Sequence, residues 1–223
     1  RVPVEIMPEK RTNLRGSTTD GGARLFFTMR HLGTRLVVAV DASARRWSRF
    51  ATLPQNQRFL CMEWHGGLLY VAGGLGQNWE RLNSFRAFNE TTGLWEDLPP
   101  MPHACVWAAP GVIGNELFIA GGTGISELNT LQIYDIAART WRLGAPLPIQ
   151  IPGSKQPRGV VVDGKLFVFT RRVQRTLVYD PLYKMWTEEA VPEIHGTSVL
   201  HACAHEGRVV VVLWNGEAFE RAA

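Results

Sequence analysis

The sequence predicts an all-β chain built as a ring of repeated four-stranded sheets, and three observations predict it. A tryptophan recurs at nearly constant spacing, an Asp or Asn precedes each one at a fixed distance, and a glycine opens a short β-branched or aromatic run in every unit. Trp47, Trp95, Trp141 and Trp186 are separated by 48, 46 and 45 residues. Six positions before each stands Asp41, Asn89, Asp135 or Asp180. An apolar–proline pair follows each tryptophan: Leu53-Pro54, Leu98-Pro99, Leu147-Pro148 and Val191-Pro192. Three features recurring in one order, at a period of this size, mark a propeller or another repeat array.

The elements follow in chain order. The glycine-led runs are GARLFFT from Gly22, GLLYVAGG from Gly67, GNELFIAGG from Gly114, GKLFVFT from Gly164 and GRVVVVLW from Gly207. They are short, β-branched or aromatic, and bounded by turn residues, which reads as strand. Further apolar stretches precede the last four, at 59–64, 106–113, 159–162 and 199–204. Each unit therefore holds strand a, strand b after the glycine, strand c ending at Asp or Asn, and strand d beginning at Trp. No stretch sustains a 3.6-residue apolar period with caps, so no long helix is expected. A lone sheet of this length cannot bury both faces, so units must cover one another, and a ring closes the series. The Asp or Asn is expected to accept backbone N–H groups in the c–d turn, and the Trp to lie between neighbouring blades.

The expected architecture is a β-propeller of four-stranded antiparallel blades, with five blades visible. Blade 1 spans 9–53, blade 2 54–98, blade 3 99–147 and blade 4 148–191. Blade 5 takes strands a–c from 192–223 and strand d from 1–8, so that the N-terminal strand staples the ring shut.

Composition narrows the function classes. At 45% apolar and 20% charged residues, global disorder is excluded. The longest apolar run, 209–214, is far short of the roughly 20 residues that cross a bilayer, so no membrane role is expected. Arg supplies most of the 24 basic residues, and the net charge of +4 is too small to name nucleic acid as the partner. Arg favours planar, bidentate contacts to carboxylate or phosphate. Three cysteines, Cys61, Cys105 and Cys203, make no disulfide framework, so a reducing, cytoplasmic or nuclear compartment is expected. The sequon Asn89-Glu-Thr91 is by itself a weak secretion signal. No signal-peptide pattern opens the sequence, and its first residue is Arg; it reads as a piece of a longer protein.

The repeat resembles the kelch repeat. Ala72-Gly73-Gly74, Ala120-Gly121-Gly122, Tyr134-Asp135, Tyr179-Asp180, the four tryptophans and Leu98-Pro99-Pro100-Met101-Pro102 carry the likeness. Units two and three hold most of it. Thr28-Met29-Arg30 and Thr170-Arg171-Arg172 replace the double glycine in units one and four, and Leu213-Trp214-Asn215 in the fifth, which is expected to loosen the loops that follow. The resemblance implies a protein-binding module, in many family members a substrate receptor of a ubiquitin ligase joined to an F-box or BTB adaptor.

In a propeller the b–c and d–a connections gather on one face. The b–c loops are expected at 30–34, 75–82, 123–128 and 171–175, and the d–a loops at 55–58, 100–103, 149–158 and 192–198. Basic groups outnumber acidic ones there. The candidate partner-binding residues are Arg30, Arg58, Trp79, His103, Arg158, Arg171, Arg172 and His195. Family members that grip acidic peptides use d–a arginines, so the resemblance singles out Arg58 and Arg158, each able to fork onto a carboxylate. Trp79 lies in the polar loop GLGQNWERLN and either anchors a partner or folds back on the next blade. The expected partner is a protein, through an acidic peptide motif.

Catalytic readings have less to stand on. Cys61, Glu63 and His65 share one face of a strand, as do His201, Cys203 and His205. Same-face neighbours lie about 7 Å apart, too far to converge on one ion without help, so no metal and no cofactor is expected. Propeller oxidases of this broad class need a Tyr, two His and a Cys–Tyr pair, a constellation not evident among Tyr70, Tyr134, Tyr179 and Tyr183. The alternative function remains a sugar-oxidising or isomerising propeller enzyme.

Overall fold

The computed structural model describes residues 15–19, 24–41, 43–44, 46–124, 129–150, 157–169, 175–190, 199–205, 208–213 and 218–222. These residues form five antiparallel sheets. The first holds β1 (Arg15–Thr19), β2 (Arg24–His31), β3 (Thr34–Asp41) and β4 (Arg46–Thr52). The second holds β5 (Cys61–His65), β6 (Leu68–Ala72), β7 (Phe85–Asn89) and β8 (Leu94–Leu98). The third holds β9 (Ala109–Ile113), β10 (Glu116–Ala120), β11 (Leu131–Asp135) and β12 (Thr140–Leu143). The fourth holds β13 (Arg158–Val162), β14 (Lys165–Phe169), β15 (Arg175–Asp180) and β16 (Met185–Ala190). The fifth holds β17 (Val199–His205), β18 (Arg208–Leu213) and β19 (Ala218–Ala222). Each sheet is a meander in chain order, and there is no helix among the described residues.

The first strands of the sheets approach one another in sequence: β1 beside β5, β5 beside β9, β9 beside β13, β13 beside β17, and β17 back beside β1. That circuit makes the five sheets the blades of a β-propeller. The fourth strand expected for the last blade, at 1–8, lies outside the described residues.

The apolar core is divided into seams between blades. One seam packs Phe26, Val37, Ala39 and Ala51 of blade 1 on Met62, Leu69, Val71 and Phe88 of blade 2. The next sets Tyr70, Phe85 and Ala87 against Leu117, Ile119 and Tyr134. A third sets Phe118, Leu131 and Ile133 against Leu166, Val168, Leu177 and Tyr179. The fourth joins Val160, Phe167 and Val178 to Ala202 and Val209. A sheet apolar on both faces buries itself only between two neighbours, which is why the strands read as near-continuous apolar runs.

The tryptophans latch the seams. Trp95 Nε1 donates to the Thr52 carbonyl at 2.9 Å, Trp141 Nε1 to Pro99 at 2.7 Å and Trp186 Nε1 to Ala145 at 2.9 Å. Every acceptor lies at the last residue of the preceding blade's d strand or within two residues after it. Each indole also packs on its cross-strand partner, Phe88, Tyr134 or Tyr179, with ring centroids 5.2, 5.0 and 5.0 Å apart. Trp47 stands opposite Val40 in the same register and packs near Phe27.

The c–d turns match the expectation. The Asp41 carboxylate takes the Ala44 N–H at 2.8 Å, and Asp135 takes that of Ala138 at 2.7 Å. Asp180 takes the Leu182 N–H at 2.9 Å, and the Asn89 side-chain carbonyl takes those of Thr91 and Thr92 at 2.9 and 3.0 Å. The Ala44 N–H and the Ser43 hydroxyl hold the Asp41 carboxyl below its ordinary range. Burial pushes Asp180 up, but Lys165 and the Leu182 and Tyr183 N–H groups outweigh it and leave the group lowered.

Two expectations are corrected. The innermost strand of blade 1, RGSTT, is polar, so no apolar run announces it. Loss of the double glycine in blade 1 tightens the b–c connection. β2 and β3 run eight residues each and join through a two-residue turn, Leu32-Gly33, with φ of 45° and 83°. Arg30 and His31 therefore sit on a strand end, opposite Arg35 and Thr34. In blades 2 and 3 the glycines do different work. A Cβ on Gly73 would meet the Cys105 carbonyl at 2.5 Å and one on Gly74 the Arg58 carbonyl at 2.7 Å, so the chain passes between two d–a loops where no side chain fits.

Two predictions follow from the latch and the turn. Trp95→Phe keeps the ring contact but loses the indole bond and should cost about 1 kcal/mol, whereas Trp95→Ala should cost about 3–5 kcal/mol, measured by urea unfolding followed by circular dichroism. Asp41 and Asp180 have folded pKa values below their unfolded ones, so their stabilisation is complete above the ordinary carboxylate range and is lost as pH falls through the folded value. Asn already serves this turn at position 89, so the Asp41→Asn/Asp180→Asn chain should lose less of its urea midpoint than wild type between neutral pH and about pH 3.

Candidate binding face

The antiparallel meanders put the d–a loops and the b–c loops at one end of every blade. The loop between β4 and β5 is pinned first. Arg58 and Leu75 exchange backbone bonds, with Arg58 N–H on the Leu75 carbonyl at 2.8 Å and the return bond at 2.6 Å. The buried Gln57 donates from Nε2 to the Gly73 carbonyl at 2.9 Å. Asn56 Nδ2 donates to the Gly33 carbonyl at 2.9 Å and ties the same loop to the β2–β3 turn.

This pinning aims Arg58 at Trp79. The guanidinium carbon stands 4.9 Å from the Trp79 ring centroid, a cation–π pair. Trp79 is 65% exposed and takes a left-handed φ of 65°. Its place is held by a small closed loop, in which Gly76 N–H reaches the Glu80 carbonyl at 2.9 Å and the Glu80 carboxylate takes the Asn78 N–H at 2.8 Å. Trp79 does not fold back on the next blade; it stands over Arg58 with most of its surface open.

At the same loop end stand Leu32, 89% exposed, and the exposed Arg30, His31 and Arg81. His103 is exposed as well, and its loop is clamped by the fully buried Gln132. Gln132 Oε1 takes the His103 N–H at 2.8 Å, and Nε2 donates to the His103 carbonyl at 3.2 Å. At the same register one blade earlier, Arg86 reaches Gln55 at 3.3 Å. Glu80 is the one carboxylate among the described residues of the loops joining β2–β3, β4–β5, β6–β7 and β8–β9.

Arg158 sits elsewhere. It opens β13 opposite Phe169, the register held by Cys61 opposite Ala72 and Ala109 opposite Ala120, so it belongs to an inner strand and is no counterpart of Arg58. It is half-buried, and its charge reaches the Cys61 thiol. Arg171, Arg172 and His195 lie outside the described residues. The structure thus groups Arg30, Arg58 and Trp79 on blades 1 and 2, with His103 at the next loop. Sequence reasoning missed Asn56, Gln57 and Gln132, which hold the loops in place. The available signal was Gln132 itself, an amide inside the apolar strand LQIYD.

The inner strands carry no metal geometry in the described part. Cys61 donates from Sγ to the Ala108 carbonyl at 3.3 Å, and burial pushes its thiol up to about 12. Burial also raises Cys105 well above its ordinary value. Among the described residues no three His, Cys, Asp or Glu side chains gather to hold an ion. Tyr70, Tyr134 and Tyr179 are buried in the seams between blades, and Tyr183 lies at the opposite end of its blade from the loop face.

These features define a class, a β-propeller whose antiparallel blades are latched by indoles and whose loop face is cationic and aromatic. The Kelch motif family matches residues 61–102 and 108–148, the second and third blades. Mouse Kelch-like protein 35 is 24% identical over 162 residues, covering 72% of this chain and 28% of its own. Zebrafish Kelch repeat and BTB domain-containing protein 12 is 27% identical over 169 residues, covering 63% and 27%. An F-box/kelch-repeat protein of Arabidopsis thaliana is 24% identical over 124 residues, covering 53% and 31%. The solved structure of YjhT superposes with a TM-score of 0.75 at 14% identity, over 92% of this chain and 72% of that one, which supports the fold. The second and third blades carry the Kelch motif, and the chain spans roughly a quarter to a third of the length of these curated relatives.

Gln132→Ala removes both bonds to His103 inside a buried site and should destabilise the protein by about 1–3 kcal/mol, measured by chemical denaturation.

Proposed function

We propose that this propeller is a non-catalytic protein-binding module whose loop face takes a partner segment bearing carboxylates. The carrying observation is the Trp79–Arg58 pair, an exposed indole in cation–π contact with an arginine whose backbone is pinned to Leu75. The cation–π contact holds the guanidinium beside the ring, where it can fork onto a carboxylate, while the exposed indole supplies apolar area for the residue beside it. Arg30 and Arg81 add positive charge on the same face, and Glu80 is engaged by its own loop. Such a rim steers an acidic segment and sets its register more than it adds affinity.

The relatives whose names carry F-box or BTB support a further step: in a longer chain with such an adaptor, this face would present substrates to a ubiquitin ligase. A reading frame with neither segment removes that step and leaves the binding proposal standing.

A panel of acidic peptides and their amide counterparts tests the binding proposal by titration calorimetry. Acidic members should bind more tightly, lose affinity as salt rises, and weaken about tenfold or more on Arg58→Ala or Trp79→Ala. Equal binding of acidic and amide peptides, or affinity untouched by both substitutions, overturns it.

A further inference from the structure

Three of the described hairpins close through a two-residue turn with both residues at positive φ. Gly66-Gly67 joins β5 to β6 with φ of 57° and 80°, and Asp163-Gly164 joins β13 to β14 with 47° and 71°. Leu32-Gly33 joins β2 to β3 with 45° and 83°. Turns of this kind favour Gly, Asn or Asp at the first position, because a bulky side chain is strained there. The first two obey that preference, at the end of the ring opposite the loop face. The third, on the loop face, carries leucine instead. Leu32 is 89% exposed, so its side chain packs on little that offsets the strain. The other left-handed apolar residues have a contact that accounts for them. Phe59 and Trp107 pack on one another at 4.7 Å, and Trp79 meets the Arg58 guanidinium.

The Leu32 turn is tied to the Arg58–Trp79 pair. Asn56 Nδ2 donates to the Gly33 carbonyl at 2.9 Å. Arg58, two residues further on, is bridged to Leu75 and contacts Trp79. The loop at 55–58 is therefore fastened to one exposed apolar side chain's turn and carries the arginine that meets the other. Covalent reach and the Asn56 bond keep the Leu32 and Arg58 Cα atoms within roughly 20 Å, which about six extended residues span. The Thr34 hydroxyl donates to the His31 carbonyl at 2.9 Å and holds the base of the turn. Residues 30–34 and 55–58 include Arg30 and Arg58 and no carboxylate.

We propose that Leu32 is a second anchor of the loop face, which rests on the binding function proposed above. The partner segment that sets a carboxylate on Arg58 also carries an aliphatic or aromatic residue, within about six positions of it, that packs on Leu32. Charge complementarity selects an acidic segment, because the two turns it crosses offer arginines and no carboxylate. A second copy presenting the same face about a twofold axis would set Arg30 and Arg58 against their own counterparts. Backbone strain that the fold does not need is kept where it serves a contact.

A displayed library of random 16-residue peptides, selected on the full chain, tests the proposal. Leu32→Asn is the informative variant. Asn suits the left-handed position, so the urea midpoint should equal or exceed that of wild type. Selected peptides whose binding is lost on Arg58→Ala should carry Asp or Glu with an aliphatic or aromatic residue within about six positions. Their affinity should fall about tenfold on Leu32→Asn. Replacing that apolar peptide residue by serine should weaken binding to wild type by a similar factor and weaken binding to Leu32→Asn hardly further, which is the coupling that direct contact produces. Arg58-dependent peptides that bind Leu32→Asn as tightly as wild type overturn this proposal and leave the loop-face function standing. Failure to select any Arg58-dependent peptide overturns both. A lower urea midpoint for Leu32→Asn overturns it by making the leucine a structural residue. Binding to phosphatidylserine vesicles that is lost on Leu32→Asn overturns it in favour of a membrane.

Discussion

The fold depends on one bond repeated around a ring, an indole N–H held by the carbonyl at the end of the previous blade. A four-stranded sheet of five-residue strands has two apolar faces and too little chain to cover either. Each seam solves this for two sheets at once, and the indole fixes how far one sheet turns against the next. The acceptor lies 43, 42 and 41 residues before the donor for Trp95, Trp141 and Trp186. A nearly constant offset of that kind makes each of these blades a template for the one after it. An array with this logic has no interior independent of its neighbours, so its stability is the sum of its seams.

The seams share a latch but differ in what surrounds it. Between blades 1 and 2, Arg24 donates to both oxygens of Glu90 at 2.7 and 3.1 Å. Its guanidinium also covers Phe26 and Trp64, which stack at 5.1 Å. Phe50 meets both rings edge-on and bridges to Phe88 at 5.2 Å. Between blades 2 and 3 the aromatic group is Phe85, Tyr134 and Trp141, and the cross-seam ion pair is Arg139–Glu96. Between blades 3 and 4 the nearby ion pair turns inward, Arg142 to Glu116, within one blade. Exposed pairs of this kind add little to stability. Their arrangement instead decides which charges stay at the surface.

The sequence made the repeat legible because its parts are local. Trp, the capping Asp or Asn and the glycine-led run each do their work within a few residues, so one letter at one spacing is enough to reveal them. β1 escaped because an innermost strand needs only backbone partners, and RGSTT supplies them without an apolar signal. Arg158 was grouped with Arg58 because both precede an apolar run. The ladder separates them, since a shift of three residues moves Arg158 from loop to strand. Trp79 and Arg58 lie 21 positions apart, and only the Arg58–Leu75 bridge brings them together. Gln57 and Gln132 are amides whose role is to satisfy loop carbonyls and N–H groups, and no composition rule distinguishes those from solvated amides.

The two ends of the ring obey different constraints, and that decides where a departure from the repeat carries meaning. At the loop end the connections differ in length and in their tethers, from the two-residue turn after β2 to the pinned loop holding Trp79. Variation there is cheap, since each loop is tied by its own amides, and an unusual residue stands out only against a turn of matching geometry elsewhere, as Leu32 does. At the other end the c–d turns of blades 2, 3 and 4 have the same length, the same cap and the same left-handed fourth position. A left-handed side chain costs roughly 1–2 kcal/mol relative to glycine, so the sequence there is already restrained. Against so uniform a background, Leu182 and Tyr183 are a departure that folding does not require, whereas Met185 stands where blade 2 has the exposed Leu94. Their exposure opposes the hydrophobic effect that built the seams. An exposed apolar group that the geometry does not need is a stronger sign of a partner than a surface arginine whose aliphatic stem and charge are at ease in water.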